Sequence, residues 1–213
     1  MKIISHRGNG VSNFKENTKE ALLTALSMDF IDGIEFDVRI TKDKKIVIIH
    51  DYVINFSSNG SGVVKNMEYG ELIKYNFGTK ENPSIICTLD ELLKNINNNK
   101  IILIEIKEES NDFKIMADIF CNIINKYNLN IYITSFNYEL IKYLKTKNIK
   151  VGLLIGMGLN TKRLYNLFDF NIVTYQYRNR IDNKETFLWT INDAKEDLSK
   201  YNIITDNPFL FKN

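Results

Sequence analysis

The two histidines of the 213-residue chain are placed alike, each at the end of a short apolar run beside a charged residue. His6 lies in the segment I-S-H-R-G-N and is followed by Arg7. His50 lies in I-V-I-I-H-D and is followed by Asp51. Because an imidazole can remove or deliver a proton near neutral pH, these residues are a candidate acid–base pair.

Acidic side chains alternate with apolar ones in two further segments, G-I-E-F-D-V and L-I-E-I-K. Residues two apart in a strand face the same side, so Glu35 and Asp37 point together, and so do Glu105 and Lys107. Three carboxylates cannot converge in a dry interior unless a cation neutralises them or they take up protons. Oxygen ligands alone favour a hard divalent ion, so the sequence predicts a site for Mg²⁺ or Ca²⁺.

The elements that position these residues alternate regularly along the chain. Apolar, β-branched runs of strand length are separated by amphipathic stretches with a helical period. Only T-K-D-K-K separates residues 33–40 from residues 46–50, which is too short for a parallel crossover, so the second run must return antiparallel as a hairpin. The predicted strands are residues 2–5, 33–40, 46–50, 101–107, 131–135, 151–155, 172–175, 187–191 and 203–205.

Without the hairpin arm, eight strands joined by helices remain, and this α/β pattern predicts a (β/α)8 barrel with an antiparallel hairpin extension after the second strand. An open doubly wound sheet is the alternative, but its phosphate fingerprint G-x-G-x-x-G is absent. Two helices begin with capping-box spacing, Asn17 with Glu20 and Thr88 with Glu91. Further helices are predicted over residues 112–127, 138–147, 161–168 and 194–201.

In a barrel, the polar pairs of the strands face inward near the C-terminal mouth. If Thr41 pairs with Ile46 across the hairpin turn, His50 lies opposite Asp37 and beside the predicted cation site. His6 ends the first strand, which neighbours the second strand in a barrel.

Arg7 follows His6 and supplies donors suited to phosphate oxygens. Together with the carboxylates, this set fits metal-assisted cleavage of a phosphate ester, with one histidine as general base and the other as general acid.

The composition, 44% hydrophobic and 25% charged, is typical of a globular protein, and no linker divides residues 1–213 into two domains. A net charge of +2 is too small to imply a nucleic acid or an anionic membrane as partner. No run is long enough to cross a bilayer, and the N-terminal residues lack a signal-peptide apolar region. We therefore predict a cytoplasmic protein with no stable membrane anchor, in which Cys87 and Cys121 are buried thiols. Its oligomeric state stays open.

Eight segments, taken in order from residue 4 to residue 208, resemble the glycerophosphodiester phosphodiesterase family: S-H-R-G-N, K-E-N-T-K-E-A-L, G-I-E-F-D-V-R-I-T-K-D, V-I-I-H-D, L-I-E-I-K, T-S-F, L-W-T-I-N-D and I-I-T-D-N-P. The resemblance implies a TIM barrel that hydrolyses small-molecule glycerophosphodiesters to glycerol 3-phosphate and an alcohol. It implies acid–base catalysis by His6 and His50, metal ligation by Glu35, Asp37 and Glu105, and substrate binding by Arg7, Lys107 and Trp189.

The chain departs from the usual pattern of that family at two positions and in the segment after H-D, which reads Y-V-I-N-F-S-S-N-G-S-G-V-V where the family often has a Thr/Arg-rich segment. Lys15 stands where proline usually precedes E-N-T, and Lys44 replaces the glycine of a K-D-G turn, which predicts another turn geometry. About residues 51–85, here named the cap segment, correspond to a short cap or insertion, part of which contacts the alcohol in family members.

Several polar residues near these motifs have structural interpretations. Asn17 is interpreted as a helix cap, with Glu16 beside it in a loop that could also orient the site. Asp51 either holds His50 in one tautomer or is an exposed loop acid. Phe136 shapes the mouth, and Asp206 ends the last strand.

Two other functions stay open from the sequence. One is a related barrel phospholipase acting on lysophospholipid or phosphoinositide head groups, and the other is a catalytically silent barrel that binds a phosphorylated ligand. The sequence also does not distinguish a cyclic phosphate intermediate from direct attack by water.

Overall fold

The structure, a computed structural model, describes residues 1–108, 113–155, 167–180, 184–193, 195 and 197–212. The strands in this part of the chain are β1 Ile3–His6, β2 Gly33–Ile40, β3 Ile46–Ile48, β4 Ile101–Ile106, β5 Asn130–Ser135, β6 Val151–Ile155, β7 Phe170–Val173, β8 Thr186–Leu188 and β9 Asn202–Thr205. Eight of them are parallel and close into a barrel in the order β1, β2, β4, β5, β6, β7, β8 and β9, with β9 paired again to β1. The predicted (β/α)8 barrel is therefore confirmed.

The strands form because β-branched residues alternate between two buried faces. On β4, Ile102 and Ile104 belong to the outer layer packed against the helices. Ile101 and Leu103 face the barrel interior, where they pack in one cluster with Phe170. Polar residues that lie an even number of positions from these inward-facing residues also point into the barrel, on the C-terminal side of this apolar cluster.

Apart from one short helix in the cap segment, the helices cover the outer face of the barrel. The predicted capping box of Thr88 and Glu91 is confirmed, with the Thr88 side chain accepting from the Glu91 backbone N–H. The interpretation of Asn17 as a cap is wrong, because Thr18 accepts from the Ala21 N–H instead. The helices are α1 Lys19–Ser27, α2 Tyr69–Leu72, α3 Leu89–Leu93, α4 Phe113–Ile124 and α5 Tyr138–Lys145.

The later helix predictions fare differently. Residues 161–166 lie outside the described residues, so most of the helix predicted there is not tested. The helix predicted over residues 194–201 is wrong for its described residues, 195 and 197–201, which form turns and coil. A 3₁₀ helix, Tyr175–Arg180, follows β7.

The hairpin exists, but its predicted register is off by one residue. Ile40 pairs with Ile46, so the turn closes between Thr41 and Lys45, and the Ile49 N–H donates to the Asp37 carbonyl. The Thr41 hydroxyl accepts from the Lys45 N–H at 2.9 Å, which favours this shorter turn.

Lys44 closes the hairpin turn with φ +64°, the left-handed conformation that glycine adopts most easily. Lys44 thus takes a conformation that is also open to glycine, and a turn geometry different from that of K-D-G stays a prediction.

The cap segment has an apolar cluster of its own. Ile54, Val64, Leu72 and Phe77 pack there with Val47 of β3, so the hairpin arm carries the cap segment next to the mouth.

Two further predictions concern burial and membranes. Cys87 and Cys121 are free and buried, as predicted. No helix among the described residues combines the length and the apolarity needed to cross a bilayer.

Candidate active site

The turn after β1 places the first histidine and the arginine at the mouth. The Arg7 backbone takes φ +54° and its N–H donates to the Glu35 carbonyl at 2.7 Å. Gly8 follows with φ +75°, and a Cβ there would lie 2.7 Å from the Ala21 carbonyl carbon. Gly8 is thus required because its backbone lies too close to α1 for a side chain, whereas His6 and Arg7 are explained by their chemistry.

His6 is held by a residue that sequence reasoning interpreted only as a strand end. Its Nδ1 donates to Asp206 Oδ1 at 2.6 Å, and Asn9 and Asn192 donate to the same carboxylate. Burial lowers the pKa of His6, but the bond to Asp206 and the nearby Glu35 carboxylate outweigh it and raise that pKa. The same bond keeps the pKa of Asp206 well below its usual value despite burial.

The three predicted ligand residues converge. Asp37 of β2 pairs directly with Glu105 of β4, and Glu35 pairs with His6 of β1. One ligand oxygen from each of the three carboxylates lies within 4.8 Å of the others, and all three residues are buried. This set of oxygen donors is the kind that Mg²⁺ and Ca²⁺ bind.

Two cations contact these carboxylates. Lys107 Nζ lies 2.6 Å from Glu105 Oε1 and 3.2 Å from Asp37 Oδ1, while Arg7 Nε lies 3.0 Å from Asp37 Oδ2. Burial would raise the pKa of Asp37, but Lys107 and Arg7 hold it below its usual value. Glu35 is less well compensated, because its burial and the Asp37 charge raise its pKa to about 8.

The loop between β1 and α1 supports this arrangement. Glu16 accepts from Arg7 at 3.0 Å, and Asn17 donates from Nδ2 to Asp37 Oδ2 at 3.0 Å. Asn17 therefore uses its side chain on the carboxylate cluster, which explains why it does not cap α1. The orienting role considered for this loop fits these contacts.

His50 stands on the other side of the mouth, beyond the end of β3. Its Nδ1 lies 3.0 Å from Asp51 Oδ1, and Ser57 Oγ donates to Asp51 Oδ2. Of the two interpretations of Asp51, contact with the imidazole is the one the structure shows.

A cavity of about 120 Å³ joins the two histidines. Charged residues form one side of it, and the other side is apolar, with the Trp189 and Phe136 rings 6.0 Å apart and nearly perpendicular. Seven of the eight predicted site residues line this cavity, and the eighth, Asp37, contacts two of them. The lining residues are His6, Arg7, Glu35, His50, Glu105, Lys107, Thr134, Phe136, Leu154, Ile172, Trp189 and Ile204.

The fold and the site together define a class, the phosphoric diester hydrolases built on a (β/α)8 barrel. The sequence model of the glycerophosphoryl diester phosphodiesterase family matches residues 6–208, and the chain belongs to this family. A glycerophosphodiester phosphodiesterase of Caldanaerobacter subterraneus subsp. tengcongensis is 32% identical, in an alignment covering 97% of this chain and 94% of that protein.

Solved structures have the same fold. A glycerophosphodiester phosphodiesterase of Thermotoga maritima superposes with a TM-score of 0.76 at 27% identity, covering 98% of this chain and 96% of that one. A phosphodiesterase of Oleispira antarctica, solved with the product sn-glycerol-3-phosphate, superposes with a TM-score of 0.83 at 22% identity, over 98% and 94% of the two chains.

Proposed function

We propose that this enzyme hydrolyses glycerophosphodiesters to glycerol 3-phosphate and an alcohol, using a divalent cation and the two histidines. The observation that carries the proposal is the cavity in which His6 and His50 face a cluster of three buried carboxylates. The Caldanaerobacter relative is named for this activity, and the Oleispira structure holds the corresponding product.

The carboxylate cluster fits a divalent cation on its own chemistry. Glu35 Oε2 is buried, and among the described residues it has no hydrogen-bond donor. Arg7 and Lys107 contact Asp37 and Glu105, whereas the nearest basic group to Glu35 is the His6 ring, with Nε2 3.7 Å from Glu35 Oε2. Glu35 is therefore the least compensated of the three carboxylates, and a divalent cation would favour its ionised form. Glu35, Asp37 and Glu105 would hold the ion, which when bound would polarise a phosphoryl oxygen and offset charge that develops there.

Proton transfer falls to the histidines. Asp206 and Asp51 accept from the Nδ1 atoms of His6 and His50, so Nε2 of each ring is the atom that would act on the substrate; for His6 it lies 3.7 Å from Glu35 Oε2. One imidazole removes the proton of the attacking oxygen and the other donates a proton to the leaving alcohol oxygen. If water attacks, glycerol 3-phosphate forms directly; if a glycerol hydroxyl attacks, a water must then open the cyclic phosphate. Both rings line the same cavity, so a single phosphodiester can reach both of them.

Substrate binding is assigned to three further residues. Arg7 and Lys107 line the cavity as well as contacting the carboxylates, so their remaining donors can bind phosphate oxygens. Trp189 provides an apolar surface for the glycerol or the leaving group. The cap segment lies beside the mouth and is proposed to contact the leaving alcohol, as part of a single catalytic domain.

A panel of glycerophosphodiesters with each metal tests the proposal by release of glycerol 3-phosphate. We expect turnover that EDTA stops and that Mg²⁺ or Ca²⁺ restores. Hydrolysis of long-chain lysophospholipids in preference to the soluble diesters would instead support the phospholipase, and no turnover of any substrate would support the silent barrel.

A further inference from the structure

A chain of polar contacts joins the loop after β1 to His50 through the cap segment. Lys15 Nζ donates to the Ser57 carbonyl at 2.8 Å, Ser57 Oγ donates to Asp51 Oδ2, and Asp51 Oδ1 lies 3.0 Å from His50 Nδ1. We propose that Lys15, Ser57 and Asp51 act in series as positioning residues for the His50 imidazole. The inference rests on the proposed function, since it concerns a histidine that transfers a proton.

His50 needs such support more than His6 does. The side chain of His6 is 14% exposed and lies at the end of a barrel strand, whereas that of His50 is 37% exposed and lies beyond the end of β3. Arg39 Nε donates to the His50 carbonyl at 2.8 Å, which fixes the backbone but leaves the ring free to rotate. The contact with Asp51 is what orients the ring.

Asp51 can orient the ring because both of its oxygens are occupied. One oxygen accepts from His50 and the other from Ser57, so the carboxylate has a defined rotamer. Burial raises the pKa of Asp51, but these two bonds lower it more, which keeps the group ionised and able only to accept. An accepting carboxylate selects the tautomer with the proton on Nδ1, and Nε2 then faces the substrate.

Lys15 fixes Ser57, and with it the position of Asp51. Ser57 lies in a turn of the cap segment in which its N–H donates to the Ile54 carbonyl. Lys15 belongs to the loop whose next residues, Glu16 and Asn17, contact Arg7 and the carboxylate cluster. The lysine therefore joins the two sides of the mouth, a link that proline at this position would lack because its side chain has no donor.

Steady-state kinetics on the metal-loaded full chain tests the series. Lys15→Met and Ser57→Ala should each lower kcat roughly three- to thirtyfold while KM changes less than about twofold, because a misplaced imidazole affects the chemical step. Lys15→Arg, which keeps a donor, should recover most of the rate. Lys42→Met is the control, because Lys42 is exposed and pairs only loosely with Glu68 at 3.8 Å.

The double variant shows whether Lys15 acts on His50 through Ser57 or whether the two residues affect the rate independently. If Lys15 acts through Ser57, the Lys15→Met/Ser57→Ala enzyme should be no slower than the slower single variant. Rate losses that multiply in the double variant would overturn the series.

A second measurement does not depend on turnover. Because the chain has two histidines, a His6→Ala variant leaves only the ¹⁵N ring signals of His50. In that background the Nδ1-protonated tautomer should dominate, and Lys15→Met and Ser57→Ala should shift the signals toward a mixture of tautomers.

The outcomes distinguish the two proposals. An active wild-type enzyme whose kcat and His50 signals are unchanged by Lys15→Met and Ser57→Ala would overturn the series alone. A wild-type enzyme inactive on every diester and metal would overturn the proposed function as well as the inference resting on it.

Discussion

Each end of the barrel holds a glutamate shielded from solvent, partly for Glu185 and almost fully for Glu35, and the two glutamates differ in how many donors contact them. At the N-terminal end, Glu185 receives four donors: Lys2 and Asn202 on Oε1 at 3.1 and 3.2 Å, and Tyr132 and Lys150 on Oε2, both at 3.1 Å. At the mouth, Glu35 has an oxygen without a donor among the described residues.

The pKa values of Glu185 and Glu35 differ in the same way as their hydrogen bonding. Burial raises the pKa of Glu185, but its bonds to Lys2 and Lys150 bring it below the usual value. At the mouth, burial and the neighbouring Asp37 raise the pKa of Glu35 to about 8. A carboxylate whose oxygens all have donors stabilises a fold, whereas crowded carboxylates that lack donors are typical of functional sites. The comparison thus separates stability from function within one barrel.

The largest effect is expected from His50→Ala. Loss of a general acid or base lowers kcat by roughly 10²- to 10⁴-fold, because the proton must then be exchanged with water. The side chain is 37% exposed, so the free energy of unfolding should change by less than about 0.5 kcal/mol. Diester turnover and urea denaturation check the two parts, and near-normal turnover would remove His50 from the mechanism.

A smaller but more informative effect is expected from Glu35→Gln. We expect kcat to fall roughly 100-fold through weaker cation binding, since a neutral amide replaces an anionic ligand. In EDTA, however, the variant should be as stable as the wild-type protein or about 1 kcal/mol more stable, because a crowded carboxylate is removed. A marked loss of stability in EDTA would show that this carboxylate supports the fold.

Asp206→Asn should have a moderate effect on rate. His6 and Asn192 both donate to the Asp206 carboxylate. An amide would have to turn its NH₂ group, itself a donor, toward one of them, so the His6 imidazole would be oriented less well. We expect kcat to fall roughly 10- to 100-fold with little change in KM. An unchanged kcat would return Asp206 to the role of a strand-end residue.

The smallest effect on activity is expected from Glu185→Gln at the opposite end of the barrel. Turnover should stay unchanged, while the free energy of unfolding at pH 7 should fall by about 1–2 kcal/mol through loss of charge-assisted bonds. Because the folded pKa of Glu185 is lowered, its stabilisation is complete above the unfolded pKa, roughly 4.3, and is lost as the pH falls through the folded value.

Urea midpoints should therefore differ between wild type and Glu185→Gln at pH 7 and approach each other below about pH 4. A variant with lower turnover at unchanged stability would contradict the division between the two ends of the barrel.

The sequence predicted the residues that line the barrel mouth better than the residues that hold them in place, and the reason is physical. The alternation of acidic and apolar residues in G-I-E-F-D-V and L-I-E-I-K lies within single strands. Because successive side chains of a strand point to opposite faces, the alternation alone indicates that the acidic side chains share one face. The contact between His6 and Asp206 spans almost the whole chain and exists only because β9 closes on β1. No local pattern marks Asp206 as more than the end of a strand.

Two errors of detail have a similar origin. Asn17 has the residue type and spacing of a helix cap, but the buried Asp37 offers its amide a stronger partner, and Thr18 takes over the cap. The hairpin register failed by one residue because the Thr41 side chain closes the turn, a contact that strand alternation does not predict.

Metal binding by the intact protein tests the central claim most directly, which is that the mouth carboxylates are left undersatisfied in order to bind a divalent cation. Calorimetric titration of the EDTA-treated and dialysed chain with Mg²⁺ and Ca²⁺ should show one ion per chain for wild type and Glu185→Gln, and much weaker binding for Glu35→Gln. No binding of either ion by the wild-type protein, or equal binding by Glu35→Gln, would contradict the account.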